Sequence, residues 1–208
     1  MTRVLLIRHG ANDAQQDDIL AGWTPGVHLN AAGRAQAQAL AHRLSTVEIA
    51  ALYASPLERT MDTANIIAQD CGLSVQVREG LGEVRYGQWT GQPLEALQKR
   101  ALWPVVQFTP SMMRFPEGES IREVQARAVA EVEELRAIHP EETVALVSHA
   151  DVIKSIIAHY VGLHLDLFQR LAIAPASLTI LVLENAFPRL ICLNDTSYLP
   201  ITPKEDKK

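Results

Sequence analysis

The run Val4-Leu5-Leu6-Ile7, followed at once by Arg8-His9-Gly10, constrains the fold more than any other stretch of this chain. Four consecutive aliphatic residues read as a strand buried on both faces, the kind found in parallel sheets. Within one position the apolar residues give way to a cation, an imidazole and a glycine. In open α/β sheets ligands bind just outside the carboxyl ends of the strands, and Arg8 and His9 stand where this strand ends. Gly10 allows a sharp turn and a close approach of backbone to whatever His9 touches.

The rest of the chain alternates helical and extended signals. A polar, irregular loop spans 11–25. Asn30 caps a predicted helix to about Ser45, with Ala37, Leu40 and Leu44 at helical spacing. Ile49–Ala54 reads as a second strand. Ser55-Pro56-Leu57-Glu58 has the form of a helix start: a capping serine, proline at the first helical position and a carboxylate three on from the cap. The apolar stripe of that helix is Leu57, Met61, Ala64 and Ala68, and Gly72 suits its end. A short strand is expected over 73–77. Residues 79–119 read as an irregular insertion over the sheet edge, with a short helix near 93–100. Ser120-Ile121-Arg122-Glu123 is a second capping box, opening a helix to about Ile138. A buried strand is expected over 143–147, and Ser148-His149-Ala150-Asp151 resembles a third capping box, before a helix to about Val161. Late strands over 177–183 and 190–193 could form a hairpin, and 201–208 reads as a charged, mobile tail. Alternation of this kind implies parallel pairing with right-handed crossovers.

The chain has 208 residues, a formal net charge of −5 and two cysteines. The length suits one domain, over 1–200, that needs no staples. The negative charge argues against a nucleic-acid partner. An anionic ligand would have to be drawn by a local cluster of cations. Cys71 and Cys192 lack metal or redox spacing and read as core thiols of a reducing compartment. No apolar run approaches a membrane span, and only four apolar residues separate Arg3 from Arg8, so no secretory leader is expected. These features predict a cytoplasmic protein without a membrane partner. The phosphate-cradling patterns Gly-x-Gly-x-x-Gly and the P-loop are absent.

Two strand ends carry a histidine: Arg8-His9, and Ser148-His149. In a parallel sheet both imidazoles face one rim. A third strand end, Ala54-Ser55, leads into a helix whose first turn holds Arg59. Arg8, His9, Arg59 and His149 can therefore converge with two helix N-termini, which offer free N–H groups and partial positive charge. Guanidinium forks match phosphate oxygens in pairs. An imidazole beside such an anion hole suggests nucleophilic attack on phosphorus by His9. A carboxyl group would then serve first as acid and later as base, and Glu83, in a loop flanked by Gly82 and Gly87, is the candidate. A bound dianion is expected to convert His149 into a charged donor. The bland readings are kept for other groups. His28, His42, His139, His159 and His164 are read as structural or exposed, Trp23, Trp89 and Trp103 as core or lid packing, and Met112-Met113 as gap-filling.

Five ordered blocks carry a resemblance: Leu6-Ile7-Arg8-His9-Gly10; Ser55-Pro56-Leu57-x-Arg59-x-x-x-Thr63-Ala64; Gly82-Glu83-x-x-x-Gly87-x-Trp89-x-Gly91; Gly118-Glu119-Ser120; and Val147-Ser148-His149. Together they resemble the histidine phosphatase superfamily, in its phosphoglycerate-mutase-like branch, over nearly the whole chain. The resemblance implies a three-layer α/β/α fold with a mostly parallel central sheet, and no metal or other cofactor. It implies His9 as the phosphorylated nucleophile, Glu83 as the proton donor, and Arg8, Arg59 and His149 as the phosphate pocket. The chain departs from the family pattern at Ala11 and Asn12, where Glu or Gln and then Ser or Thr are usual, at Gln15 for an asparagine, and at Ala150 for a glycine. Asn12 and Gln15 keep amide donors for phosphate binding.

The expected function is hydrolysis of small phosphomonoesters. The alternatives are a phosphomutase sharing the phosphohistidine, and a non-catalytic protein that binds a phosphorylated ligand. The partner is then a small phosphorylated metabolite. An apolar edge near 165–182 suggests a possible homodimer.

Overall fold

The computed structural model describes residues 1–184 and 187–199; the charged tail over 201–208 lies outside them. The first strand, β1 (Thr2–Arg8), pairs in parallel with β4 (Thr143–Ser148), which pairs in parallel with β2 (Ala51–Ala54), and that with β3 (Val75–Val77). On its other side β1 meets β5 (Leu178–Leu183) in antiparallel register, and β5 turns back as the antiparallel edge strand β6 (Pro188–Asp195). The sheet order is β3-β2-β4-β1-β5-β6. Three of the five pairings are parallel and only β5 runs against the rest, so the sheet is mostly parallel and the late strands form a hairpin.

Strand alternation splits the aliphatic run of β1 between two cores. Leu5 and Ile7, with Leu52 and Val147, face helices α2 (Ala31–Leu44) and α3 (Glu58–Cys71). Val4 and Leu6, with Tyr53 and Leu146, face α6 (Ile121–Ile138) and α7 (Ala150–Tyr160). These two helical layers around one sheet make an α/β/α fold. The segment over 79–119 belongs to the second core. It contributes buried Leu81, Val84, Trp89, Leu97 and Phe115 and holds two short helices, α4 (Leu94–Gln98) and α5 (Trp103–Phe108). Sequence periodicity indicates α4 but not α5, which has a single buried residue, Val106. A further helix, α1 (Asp13–Gln16), occupies the loop expected to be irregular.

Three local signals act as read: Asn30 accepts from Gly33 N, Ser120 and Glu123 form a reciprocal capping box, and Gly72 closes α3 at φ +67°. Two capping boxes do not form. Helix α3 begins at Glu58 with Leu57 as N-cap, and α7 begins after His149. The hydroxyls of Ser55 and Ser148 are drawn elsewhere, to the His149 ring and to Leu81 O. Met113 fills the core but Met112 is exposed, and both cysteines are free and half-buried rather than core thiols. Of the stretch 165–182 expected to offer an apolar edge, Leu165, Phe168, Leu178 and Leu181 are buried within the chain. Among the described residues no helix is long and apolar enough to cross a membrane.

One close approach fixes the loop after β1. A Cβ on Gly10 would lie 2.5 Å from Gly33 O, and one on Gly33 would lie 2.0 Å from Ala11 O. The first turn of α2 thus rests directly on the backbone that follows His9. Gly33→Ala is expected to destabilise the fold by about 1–3 kcal/mol, because the backbone clash outweighs the roughly 1 kcal/mol that alanine otherwise adds to a helix. A lowered urea midpoint checks this; a raised midpoint contradicts it.

Candidate active site

Register brings the site together. Arg8 of β1 lies opposite Ser148 of β4, and Ala54 of β2 lies opposite Val147. The pairing continues one step past the strands, with His9 N donating to Ser148 O at 3.1 Å and Ser55 N to Val147 O at 3.0 Å. Three strand ends therefore present Arg8-His9, Ser148-His149 and Ser55 side by side. The His9 and His149 ring centroids are 5.2 Å apart.

His9 Nδ1 lies 2.8 Å from Gly10 O. A carbonyl can only accept, so Nδ1 carries the proton and Nε2 keeps its lone pair. Nε2 has no hydrogen-bond partner among the described residues. Burial, reinforced by Arg59 and Arg8, holds the His9 pKa well below the usual imidazole range. The loop is braced by Gly10 N donating to Thr63 Oγ1 and by Ala176 N donating to His9 O.

His149 is fully buried. Arg59 Nη2 donates to Gly22 O at 2.9 Å and approaches His149 Nδ1 at 3.3 Å. A guanidinium cannot accept, so Nδ1 of the neutral ring accepts and Nε2 donates to Ser55 Oγ, 2.8 Å away. Leu57 N also donates to Ser55 Oγ. Burial lowers the His149 pKa strongly, with Arg59 and His9 adding to it.

The Glu83 carboxylate lies 3.6 Å from His149 Nδ1 and 3.9 Å from Arg59 Nη2, and its Oε1 accepts from Val84 N. Burial pushes its pKa up to about 7, against the pull of Arg59 and with the push of Asp151. Its backbone is held from outside the cleft. Trp23 Nε1 and Arg127 Nη2 both donate to Glu83 O, at 2.6 and 3.0 Å, and Arg127 Nη1 donates to Gly80 O. Two further bonds from Arg127 reach Glu119. Gly82 is obligatory here, since a Cβ would stand 2.5 Å from the Trp23 ring.

His9, Arg8, Arg59 and Glu83 border a cleft of about 300 Å³, whose wall also includes Asn12, Gln15, Tyr86, Leu94 and Asp151; His149 does not line it but adjoins Arg59 and Glu83. Buried polar atoms nearly always find a partner. Yet Arg8 Nε, Asn12 Nδ2, Arg59 Nη1 and Gln15 Oε1 are buried without one. All four residues line this cleft. Three of the atoms are donors, and the Gln15 amide offers a donor after a flip. Arg8 is tied down by Nη1 donating to Ile173 O, and Asn12 by Oδ1 accepting from Gln15 N. Donors arranged in this way can bind a compact oxyanion. The structure thus brings together every sequence-predicted site residue: His9, Glu83, His149, Arg8, Arg59, Asn12 and Gln15. Sequence reading missed Ser55, Trp23, Arg127, Tyr86 and Asp151. Ser55 was visible only as a helix cap. The remaining histidines stay outside: His28 pairs with Asp62, and His139 bridges Tyr53 and Glu142.

Comparison with known proteins agrees with this geometry. The sequence profile of the histidine phosphatase superfamily (branch 1) matches residues 4–196. The chain is 27% identical over 209 residues to phosphoserine phosphatase 1 of Hydrogenobacter thermophilus, covering 96% of this chain and 95% of that protein. It is 30% identical over 185 residues to probable phosphoglycerate mutase GpmB of Yersinia enterocolitica, covering 86% and 84%. The solved structure of Bacillus stearothermophilus YhfR superposes with a TM-score of 0.91 at 27% identity, over 96% of this chain and all of that one. With its profile match spanning nearly the whole chain, this protein belongs to the histidine phosphatase superfamily.

A carboxyl raised by burial leaves a signature in stability. Glu83 stabilises the fold in acid, fully below about pH 4.5, and that contribution is lost as pH rises through about 7. Glu83→Gln is therefore expected to gain stability over the wild type on going from pH 4 to pH 8, by up to about 3 kcal/mol. Denaturant titrations at both pH values read the difference, and an unchanged difference contradicts the assignment. Asp151→Asn should move the Glu83 midpoint down, as followed by its carboxyl NMR resonance.

Proposed function

We propose that this protein hydrolyses small phosphomonoesters through a phosphohistidine on His9, without a metal ion. The observation that carries the reading is the unprotonated His9 Nε2 beside a cleft bordered by four buried, unpartnered polar atoms. In the first step Nε2 attacks phosphorus in line and the ester P–O bond breaks. The Glu83 carboxyl gives its proton to the departing alcohol oxygen. In the second step water attacks the phosphohistidine, Glu83 takes the proton back from it, and the P–N bond breaks to release inorganic phosphate and His9. A carboxyl with a pKa near 7 suits both halves, since at neutral pH it exists in both forms.

Arg8, Arg59, Asn12 and Gln15 supply donors to the phosphoryl oxygens as charge moves. His149 is neutral before binding. The arriving dianion favours its charged form, and His149 then adds a donor through Nδ1, with Ser55 holding the ring by Nε2. The name of the Hydrogenobacter relative supports phosphatase activity. The name of the Yersinia relative favours a mutase that uses the same first step. Release of phosphate without exchange between phosphoglycerate isomers decides for hydrolysis. A protein that only binds would have no use for a carboxyl poised beside the imidazoles.

The expected kcat/KM profile is a bell. It falls above about pH 7 as Glu83 loses the proton it must donate, and falls in acid as His9 acquires one. Glu83→Gln should remove the alkaline limb and lower kcat by roughly 10²–10⁴-fold. His9→Ala should abolish both turnover and the phosphoenzyme trapped from a radiolabelled substrate. A phosphoenzyme surviving in His9→Ala would sink the assignment.

A further inference from the structure

The cleft wall beyond the oxyanion cradle is acidic and apolar, and this bears on the alcohol half of the substrate. Only two cationic side chains, Arg8 and Arg59, line the cleft among the described residues. Both are already committed to the phosphoryl group by the reading above, on which this inference rests. Three carboxylates line the same space: Glu83, Asp151 and Asp18. Asp151 accepts from Tyr86 OH at 3.2 Å and from Lys154 Nζ at 3.1 Å. That lysine also donates to Gln169 Oε1 and does not border the cleft, so its charge is spent behind the wall. Arg85, near in sequence, is stacked 3.9 Å over the Trp23 ring and is likewise not part of the lining.

Asp18 also lines the cleft. It is exposed and adopts φ +52°, and no hydrogen bond or ion pair of its side chain is recorded among the described residues. Its carbonyl accepts from Leu94 N at 2.8 Å, which joins the α1 loop to α4. The apolar part of the lining includes Ile19, Leu20 and Leu94.

We infer that the cleft selects phosphomonoesters whose alcohol carries no second anionic group. A neutral or cationic alcohol meets apolar side chains and hydrogen-bond acceptors there. A carboxylate or a second phosphate meets like charge in a partly enclosed space where, among the described residues, no further cation lines the wall. Phosphoglycerate, phosphoserine and bisphosphoglycerate would all be disfavoured, even though relatives of this chain are named for the first two.

Matched pairs test this. Glycerol 3-phosphate and 3-phosphoglycerate share a skeleton and differ by a carboxylate in place of a hydroxymethyl group. O-phosphoethanolamine and O-phosphoserine differ by a carboxylate alone. In each pair the carboxylate-free member is expected to show about fivefold higher kcat/KM, the effect of a like charge that solvent partly screens. Asp18→Asn, a residue that tolerates the same left-handed backbone, should narrow the gap several-fold. Leu94→Lys should narrow it further by raising the carboxylate-bearing members, with circular dichroism checking that the variant folds; if it does not, Asp18→Asn decides. Equal or inverted preference within the pairs, or gaps indifferent to Asp18→Asn, overturns the selectivity and leaves the phosphatase reading standing. Absence of turnover with all four esters and with 4-nitrophenyl phosphate removes that reading, and the selectivity with it.

Discussion

The pairing of β1 with β4 is the constraint on which the rest of the molecule depends. Two strands separated by more than a hundred residues run in parallel, with Arg8 opposite Ser148. The ladder extends one bond further, from His9 N to Ser148 O. A slip of one residue would turn every side chain to the other face of the sheet. It would exchange Leu5 and Ile7 with Val4 and Leu6 between two differently shaped cores, and separate the two imidazoles. Packing of aliphatic side chains on both faces therefore sets the distance between His9 and His149. The geometry of the site is inherited from the hydrophobic register.

That geometry is held at a cost to the unliganded fold. Buried donors without acceptors cost roughly 1–3 kcal/mol each, and Arg8, Asn12 and Arg59 each leave one. Burial favours the neutral form of all three titratable groups: it lowers the pKa of both histidines, with neighbouring cations adding to the effect, and raises that of the Glu83 carboxyl. A tetrahedral oxyanion would satisfy the three donors together. The same groups that weaken the protein alone would strengthen its complex with an oxyanion, and Arg8, Arg59 and Asn12 are each fixed by a second bond, to Ile173 O, Gly22 O and Gln15 N.

Much of this was legible in the chain. The β1 run, the paired strand-end histidines and the cation three residues past Pro56 require only local pattern and the rule that ligands sit at strand ends. Glu83 was a weaker guess from residues alone, because any loop glutamate between glycines fits the description, and the family resemblance was needed to single it out. The failures have a common cause. Ser55 and Ser148 carry good capping signatures, but an imidazole 94 residues away and the carbonyl of Leu81 compete for their hydroxyls and win. Trp23, Arg127 and Asp151 act on Glu83 through contacts that no short-range pattern encodes. The half-buried cysteines and exposed Met112 show the same limit, since an apolar residue type does not say which side of a short turn it will occupy.

The loop bearing Glu83 is gripped by its main chain. Arg127 and Trp23 hold the carbonyls of Gly80 and Glu83, so the grip does not depend on which side chains follow. Gly82, by contrast, cannot be exchanged without moving the Trp23 ring that helps to hold Glu83 O. Such an arrangement fixes the main chain of the loop independently of the side chains that line the cleft. It leaves one scaffold free to acquire new preferences by single substitutions.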